Sequence, residues 1–137
     1  MLNLEPKTLW QCFFEICQVP RPSKKEEQII SFLLDWSKRH GIEAVKDHAG
    51  NVLMKKPASK GYEKRPTVVL QAHMDMVCEK NSDTVHDFMK DPIQPYIDGE
   101  WLKAKGTTLG ADNGIGMAAM MAVLLDENIQ HPPLECL

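Results

Sequence analysis

Apolar residues recur at helical spacing twice near the start of the chain. Leu9, Phe13 and Ile16 form one stripe, which predicts a helix over 5–18 with Pro6 in its first turn. Val19-Pro20-Arg21-Pro22 interrupts it. Ser23 and Glu26 then match a capping box, with the serine oxygen and the glutamate satisfying free N–H groups of a new first turn. Ile29, Ile30, Leu33, Leu34 and Trp36 supply the buried face of that second helix, and Gly41 stands where such a helix ends.

After Gly41 the pattern turns to strands. The stretches 42–46 and 51–55 flank Asp47-His48-Ala49-Gly50, which reads as a hairpin. Thr67-Val68-Val69-Leu70 shows no polar alternation, as expected of a strand buried on both faces. Asp98-Gly99 predicts a turn from Tyr96-Ile97 onto Trp101-Leu102. The most apolar helix falls at 113–127, where several of the chain's methionines fill the core. Pro132-Pro133 then gives way to a strand at 134–137. That strand reads as cut short, with Leu134 and Leu137 partly exposed along an open edge. Helices interleaved with strands argue for an α/β layered architecture whose sheet is incomplete.

Composition narrows the function classes. The 137 residues suit one domain with a real core. With 43% hydrophobic residues, 26% charged and a net charge of −3, no nucleic-acid footprint is expected. The basic stretch 55–65 reads as a solvated loop. No export signal is visible at the N-terminus. The apolar run 117–125 falls short of the ~20 residues that span a bilayer. The four cysteines contain no C-x-x-C pair, which fits reduced thiols in a cytoplasmic protein.

Two constellations carry chemistry. His73-Met74-Asp75 follows the strand-like run, and sites in α/β sheets gather beyond the carboxyl ends of strands. Residues two apart on extended backbone project to one side, so Asp75 can hold a ring N–H of His73 and leave the other nitrogen for a metal. A surface histidine beside an aspartate is the plainer reading of the same pattern. The second constellation runs from Gly106 to Gly116 and sets Asp112 among four glycines at the mouth of the apolar helix. A carboxylate there can bridge two divalent ions, or Asp112 or Asn113 can simply cap the helix. The spacing fits neither a dinucleotide fingerprint nor a P-loop. His40, His48 and His131 read as exposed, His86-Asp87 as a surface loop, and Cys78 as an inert thiol.

Taken together, the residues 71–81 (Gln-Ala-His-Met-Asp-Met-Val-Cys-Glu-Lys-Asn), 109–116 (Leu-Gly-Ala-Asp-Asn-Gly-Ile-Gly) and 131–135 (His-Pro-Pro-Leu-Glu) resemble one branch of the co-catalytic zinc exopeptidases. That group includes the aminoacylases and glutamate carboxypeptidases, and the branch is the aminoacyl-histidine (Xaa-His) dipeptidases. The resemblance implies the N-terminal portion, 1–137, of a zinc-exopeptidase-like α/β/α catalytic domain without its second domain. It implies His73 as a zinc ligand, Asp112 as the carboxylate bridging two zinc ions and Asp75 as the partner that orients His73. It further implies a cis peptide between Asp112 and Asn113. A Glu-Glu pair beyond Leu137 would supply the general base and another ligand. Hydrolysis of dipeptides by a zinc-activated water is the implied activity, with cobalt or manganese as substitute ions and a homo-oligomer compatible with the family. An N-acyl amino acid deacylase with the same ligands and a non-catalytic truncated product are the alternatives.

Overall fold

The computed structural model describes residues 4–137. Its elements run α1 (Lys7–Cys17), α2 (Glu27–Arg39), β1 (Glu43–Lys46), β2 (Val52–Lys56), β3 (Val68–Leu70), β4 (Pro95–Asp98), β5 (Trp101–Ala104), α3 (Ala111–Leu125) and β6 (Leu134–Cys136). Strands β1-β2-β6-β3 form one sheet in that order, and β4-β5 form a separate hairpin. The expected α/β architecture is present.

Helix α1 buries Cys12, Phe13, Ile16 and Cys17, and it packs chiefly on α3. Pro6 stands just outside the helix with extended backbone instead of in its first turn. Helix α2 turns Ile29, Leu33 and Trp36 inward and lies over β1 and β2. Gly41, at φ +66°, releases the chain into β1 through a left-handed turn that a β-carbon would strain. These helices share one core with Val52 and Met54 of β2 and Cys136 of β6.

Register explains the faces of the sheet. Met54 lies opposite Cys136, and Cys136 opposite Leu70, on the core side. One residue along, Lys55, Glu135 and Val69 align on the other side, where Lys55 Nζ lies 3.7 Å from Glu135. Val69 is therefore 57% exposed. The expectation that 67–70 is buried on both faces fails, since Val68 and Val69, on opposite faces of β3, are both exposed and Leu70 alone of the strand is partly buried.

The expected open edge at 134–137 is also misplaced. β6 is an inner strand, antiparallel to β2 and parallel to β3, and Leu134 is buried. Leu137 is exposed as expected. The double proline delivers β6 into a gap between two strands formed much earlier in the chain, which local sequence cannot reveal.

The basic stretch 55–65 is mostly an exposed loop, but Lys56 departs from that reading. Its Nζ donates to the carbonyls of Val123 at 3.1 Å and Asp126 at 2.6 Å, at the C-terminal end of α3. A cation there offsets the unpaired carbonyls and the negative end of the helix dipole. His131 is buried rather than exposed, since its Nδ1 faces the carbonyl of Pro132 at 2.7 Å and its N–H donates to Ser59. Among the described residues no helix is long and apolar enough to cross a membrane.

Candidate metal centre

The backbone of β3 and β6 continues to pair beyond the strands. Leu137 N–H donates to Leu70 O at 2.8 Å, and Ala72 N–H to Leu137 O at 3.0 Å. This carries His73 straight off the carboxyl end of β3. The following residues run beside the loop that precedes α3. Thr108 N–H donates to Glu79 O at 2.8 Å, Thr108 Oγ1 to Val77 O at 2.7 Å, and Asn81 N–H to Gly106 O at 2.9 Å. The two sequence motifs are thus sewn together along their flanks.

The stitching brings the candidate residues into contact. His73 Nε2 lies 3.0 Å from Asp112 Oδ1. Its Nδ1 lies 3.1 Å from both the Oδ1 and the main-chain oxygen of Asp75. The Asp75 carboxylate is held from its far side by Ser23 Oγ, which donates to Oδ2. Ser23 is therefore no helix cap: α2 begins at Glu27 without a side-chain cap, and Glu26 instead accepts the N–H of Lys24 at 2.6 Å. The expected capping box is replaced by a bond to the site.

Asp112 owes its freedom to the start of α3. Asp112 and Asn113 have non-helical backbone angles, and the peptide between them is cis, as the resemblance implies. Asn113 Oδ1 accepts the N–H of Gly116 at 3.0 Å, which is the capping bond of the regular helix beyond the kink. Asn113 thus takes the capping role that the plainer reading offered to either residue. The Asp112 side chain is left 98% exposed, facing His73.

The electrostatics follow from these contacts. The Asp112 carboxylate holds the His73 pKa above the ordinary histidine value, burial opposes it, and Asp75 assists. The Ser23 hydroxyl, and then His73, hold Asp75 below the usual carboxylate value. Both ring nitrogens of His73 face carboxylate oxygens, so a cation belongs between Nε2 and Asp112, whether a proton or a metal. One imidazole nitrogen and one carboxylate oxygen suit zinc, so the residues present fit the ion as part of a ligand set. Among the described residues no group of three or more His, Cys, Asp or Glu is arranged to hold a metal.

Beside the pair, a cleft of about 310 Å³ is lined by His73, Asp75, Gln71, Asn51 and Glu26. The remaining candidates stay apart from it. His86 meets Phe88 edge to face with ring centroids 4.5 Å apart, and Asp87 accepts the N–H of Met89 within its own loop. Cys78 directs its thiol to Met76 O at 3.7 Å.

Arg21 and Ser23 were not legible as site residues. Arg21 is 2% exposed, and its guanidinium donates to the carbonyls of Met74 (3.1 Å), Asp75 (3.3 Å) and Gly110 (2.6 Å). The only local signal is an arginine held between two prolines, which by itself reads as a helix break.

No family model matches the chain. It is 60% identical over 135 residues to the cytosol non-specific dipeptidase of Escherichia coli, covering 98% of this chain and 28% of that protein. The fold superposes on the aminoacylhistidine dipeptidase of Vibrio alginolyticus with a TM-score of 0.94 and 56% identity, covering 98% of this chain and 27% of that one. An aminopeptidase PepT from Bacillus cereus gives a TM-score of 0.73 at 27% identity, covering 95% of this chain and 35% of that one. A tripeptidase from Staphylococcus aureus gives 0.73 at 22% identity over the same shares, a likeness of fold alone. The chain spans little more than a quarter of the length of its nearer relatives here. Over nearly its whole length, in sequence and in fold, the chain is similar to a segment of the aminoacyl-histidine dipeptidases.

Proposed function

We propose that residues 1–137 form part of the catalytic domain of a metal-dependent hydrolase that cleaves dipeptides, Xaa-His dipeptides among them. The observation that carries this reading is the convergence of His73 Nε2 and Asp112 Oδ1 at 3.0 Å while Nδ1 is held by Asp75. His73 and Asp112 would be ligands, with Asp112 free to share its second oxygen with a neighbouring ion. Zinc fits this donor set, and cobalt or manganese could replace it. Bound zinc supplies Lewis-acid polarisation of the peptide carbonyl and acidifies water toward neutral pH.

The chain's own residues do the orienting. Asp75 accepts from Nδ1, fixing the ring's direction and keeping Nε2 turned toward Asp112. Ser23 holds the other oxygen of Asp75, so the carboxylate cannot rotate away. The cleft beside His73 offers room for a small peptide's polar groups at Asn51 and Gln71. The general base and the remaining ligands belong to residues outside 1–137. A cytoplasmic setting accords with the name of the Escherichia coli relative, and a homo-oligomer is compatible with this reading.

A chimera tests the proposal. This chain replaces the matching segment of the Escherichia coli dipeptidase, and zinc content and turnover are measured on dipeptides and on N-acyl amino acids. Chelator-sensitive dipeptide hydrolysis is expected. A folded chimera that holds no zinc would sink the metal reading, and cleavage confined to N-acyl amino acids would move the activity to a deacylase.

A further inference from the structure

Arg21 is a buried cation whose bonding is unusual. All its side-chain hydrogen bonds among the described residues go to main-chain carbonyls, those of Met74, Asp75 and Gly110. Burying a guanidinium is costly, and carbonyls offset that cost less well than a carboxylate does. Burial accordingly pulls its pKa down, with Cys17, Cys78 and Asp75 acting against that pull. Met74 and Asp75 follow His73 directly, whereas Gly110 lies two residues before Asp112.

The glycines of the second motif fit the same group. A β-carbon on Gly110 would lie 2.5 Å from Arg21 Nη2, and one on Gly114 would lie 2.8 Å from it. The guanidinium therefore sits against the two glycines that flank Asp112 on either side. Its own backbone is fixed as well, since Met76 N–H donates to Arg21 O at 2.9 Å and Pro22 bridges to Met76.

We infer that Arg21 is a positioning residue: its guanidinium ties the turn carrying His73 and Asp75 to the turn carrying Asp112, and so sets the approach of His73 to Asp112. A fork is needed, because Nη1 serves one turn and Nη2 the other. A lysine ammonium of similar reach is a single point and cannot span both. The functional weight of this role rests on the proposed metal site, but the mechanical role does not.

Amide hydrogen exchange on the full chain, free of metal, tests it with Arg21→Lys and Arg21→Met. The reporters are Met76 N–H, Gly114 N–H and Gly116 N–H, whose bonds lie in the two turns. Loss of a bond to a charged group corresponds to roughly tenfold to hundredfold in local opening. Both variants should speed exchange at these amides by about that factor, while amides in the middle of α1 and α2 keep wild-type rates. Uniform acceleration across all elements would make Arg21 a general stability residue and overturn the inference, as would unchanged rates at the reporters. Should Arg21→Met fail to fold, Arg21→Lys carries the same comparison, because it keeps the charge and loses only the fork. In the chimera, cobalt(II) absorption is a second readout. Arg21→Lys should shift the spectrum and weaken binding by about 10–100-fold. A parent chimera that takes up no cobalt counts against the metal site alone, since the exchange rates decide the role of Arg21 without it.

Discussion

His73 Nε2 and Asp112 Oδ1 lie 3.0 Å apart although 39 residues separate them in the chain. The loop 106–110 makes this approach by pairing with 77–81, and the non-helical angles at Asp112 aim its side chain away from the helix it introduces. Two acceptor-bearing groups held this close, with the second ring nitrogen already committed to Asp75, create a place for a cation rather than a stabilising surface ion pair.

Removing either end of this contact should therefore empty the site. In the chimera, His73→Ala and Asp112→Ala are each expected to abolish nearly all zinc retention and dipeptide turnover. Asp75→Ala leaves both ligands in place and should weaken zinc by about 10–100-fold. Metal analysis after dialysis, together with initial rates, reads the difference. Near-wild-type zinc and turnover in Asp112→Ala would falsify the bridging role.

Ser23 separates two readings of one short motif. As a helix cap, Ser23→Ala would cost about 1 kcal/mol of helix stability. As a support for Asp75, it should leave the helical circular dichroism of α2 and the urea midpoint nearly unchanged while lowering zinc affinity in the chimera severalfold. A clear fall in the urea midpoint with unaltered zinc affinity would restore the capping role.

Lys56 gives a stability prediction independent of the site. Its ammonium donates to Val123 O and Asp126 O at the end of α3. Lys56→Met keeps the aliphatic stem and strands both carbonyls, which should cost about 1–2 kcal/mol. Urea unfolding measures this, and an unchanged midpoint would mean that water replaces the ammonium at no cost.

The periodic parts of the fold were legible, and the parts set by distant contacts were not. Phe13, Ile16, Ile29, Leu33 and Trp36 announce their helices because burial repeats at the helical period. Gly41 and Gly50 mark turns because both adopt positive φ. Val69 misleads, since an apolar residue on an uncovered sheet face looks the same in sequence as one between two layers. Arg21, Ser23, Lys56 and His131 each meet a partner far away in the chain. Nothing in the neighbouring residues distinguishes them from polar groups in loops. The site itself was found through the resemblance of two motifs, because H-x-D and a glycine-ringed aspartate are each too common to identify it.

The buried thiols should make the fold less stable at alkaline pH. Burial pushes Cys12 up to about 12, and Cys17 and Cys136 up to about 11. The ordinary thiol value is 9.0. These folded-state values are raised, so between pH 9 and about 11–12 the unfolded chain releases protons that the folded chain keeps. Stability from these groups is fully present below pH 9 and is lost as pH rises through that window. Urea midpoints taken from pH 8 upward should fall, and Cys12→Ala, Cys17→Ala and Cys136→Ala together should flatten the slope. An equally steep slope in the triple variant would assign the alkaline loss to other groups.

The 137-residue chain by itself is expected neither to hold two zinc ions nor to hydrolyse dipeptides. A catalytic zinc takes about three protein ligands and water, and here two candidate ligands converge, His73 and Asp112. Asp75 is already engaged, with His73 on one oxygen and Ser23 on the other, and cannot turn toward a metal without releasing the ring it orients. Among the described residues no group of three or more His, Cys, Asp or Glu is placed to hold a metal ion. The Asp112 side chain is 98% exposed, so water competes freely for any ion it meets. Zinc titration by calorimetry at neutral pH, followed by a dipeptide assay with and without chelator, should show weak or no binding and no turnover. Stoichiometric uptake of two ions with chelator-sensitive hydrolysis would mean that the chain completes the centre by another route, with His86 or a second copy supplying the missing ligands.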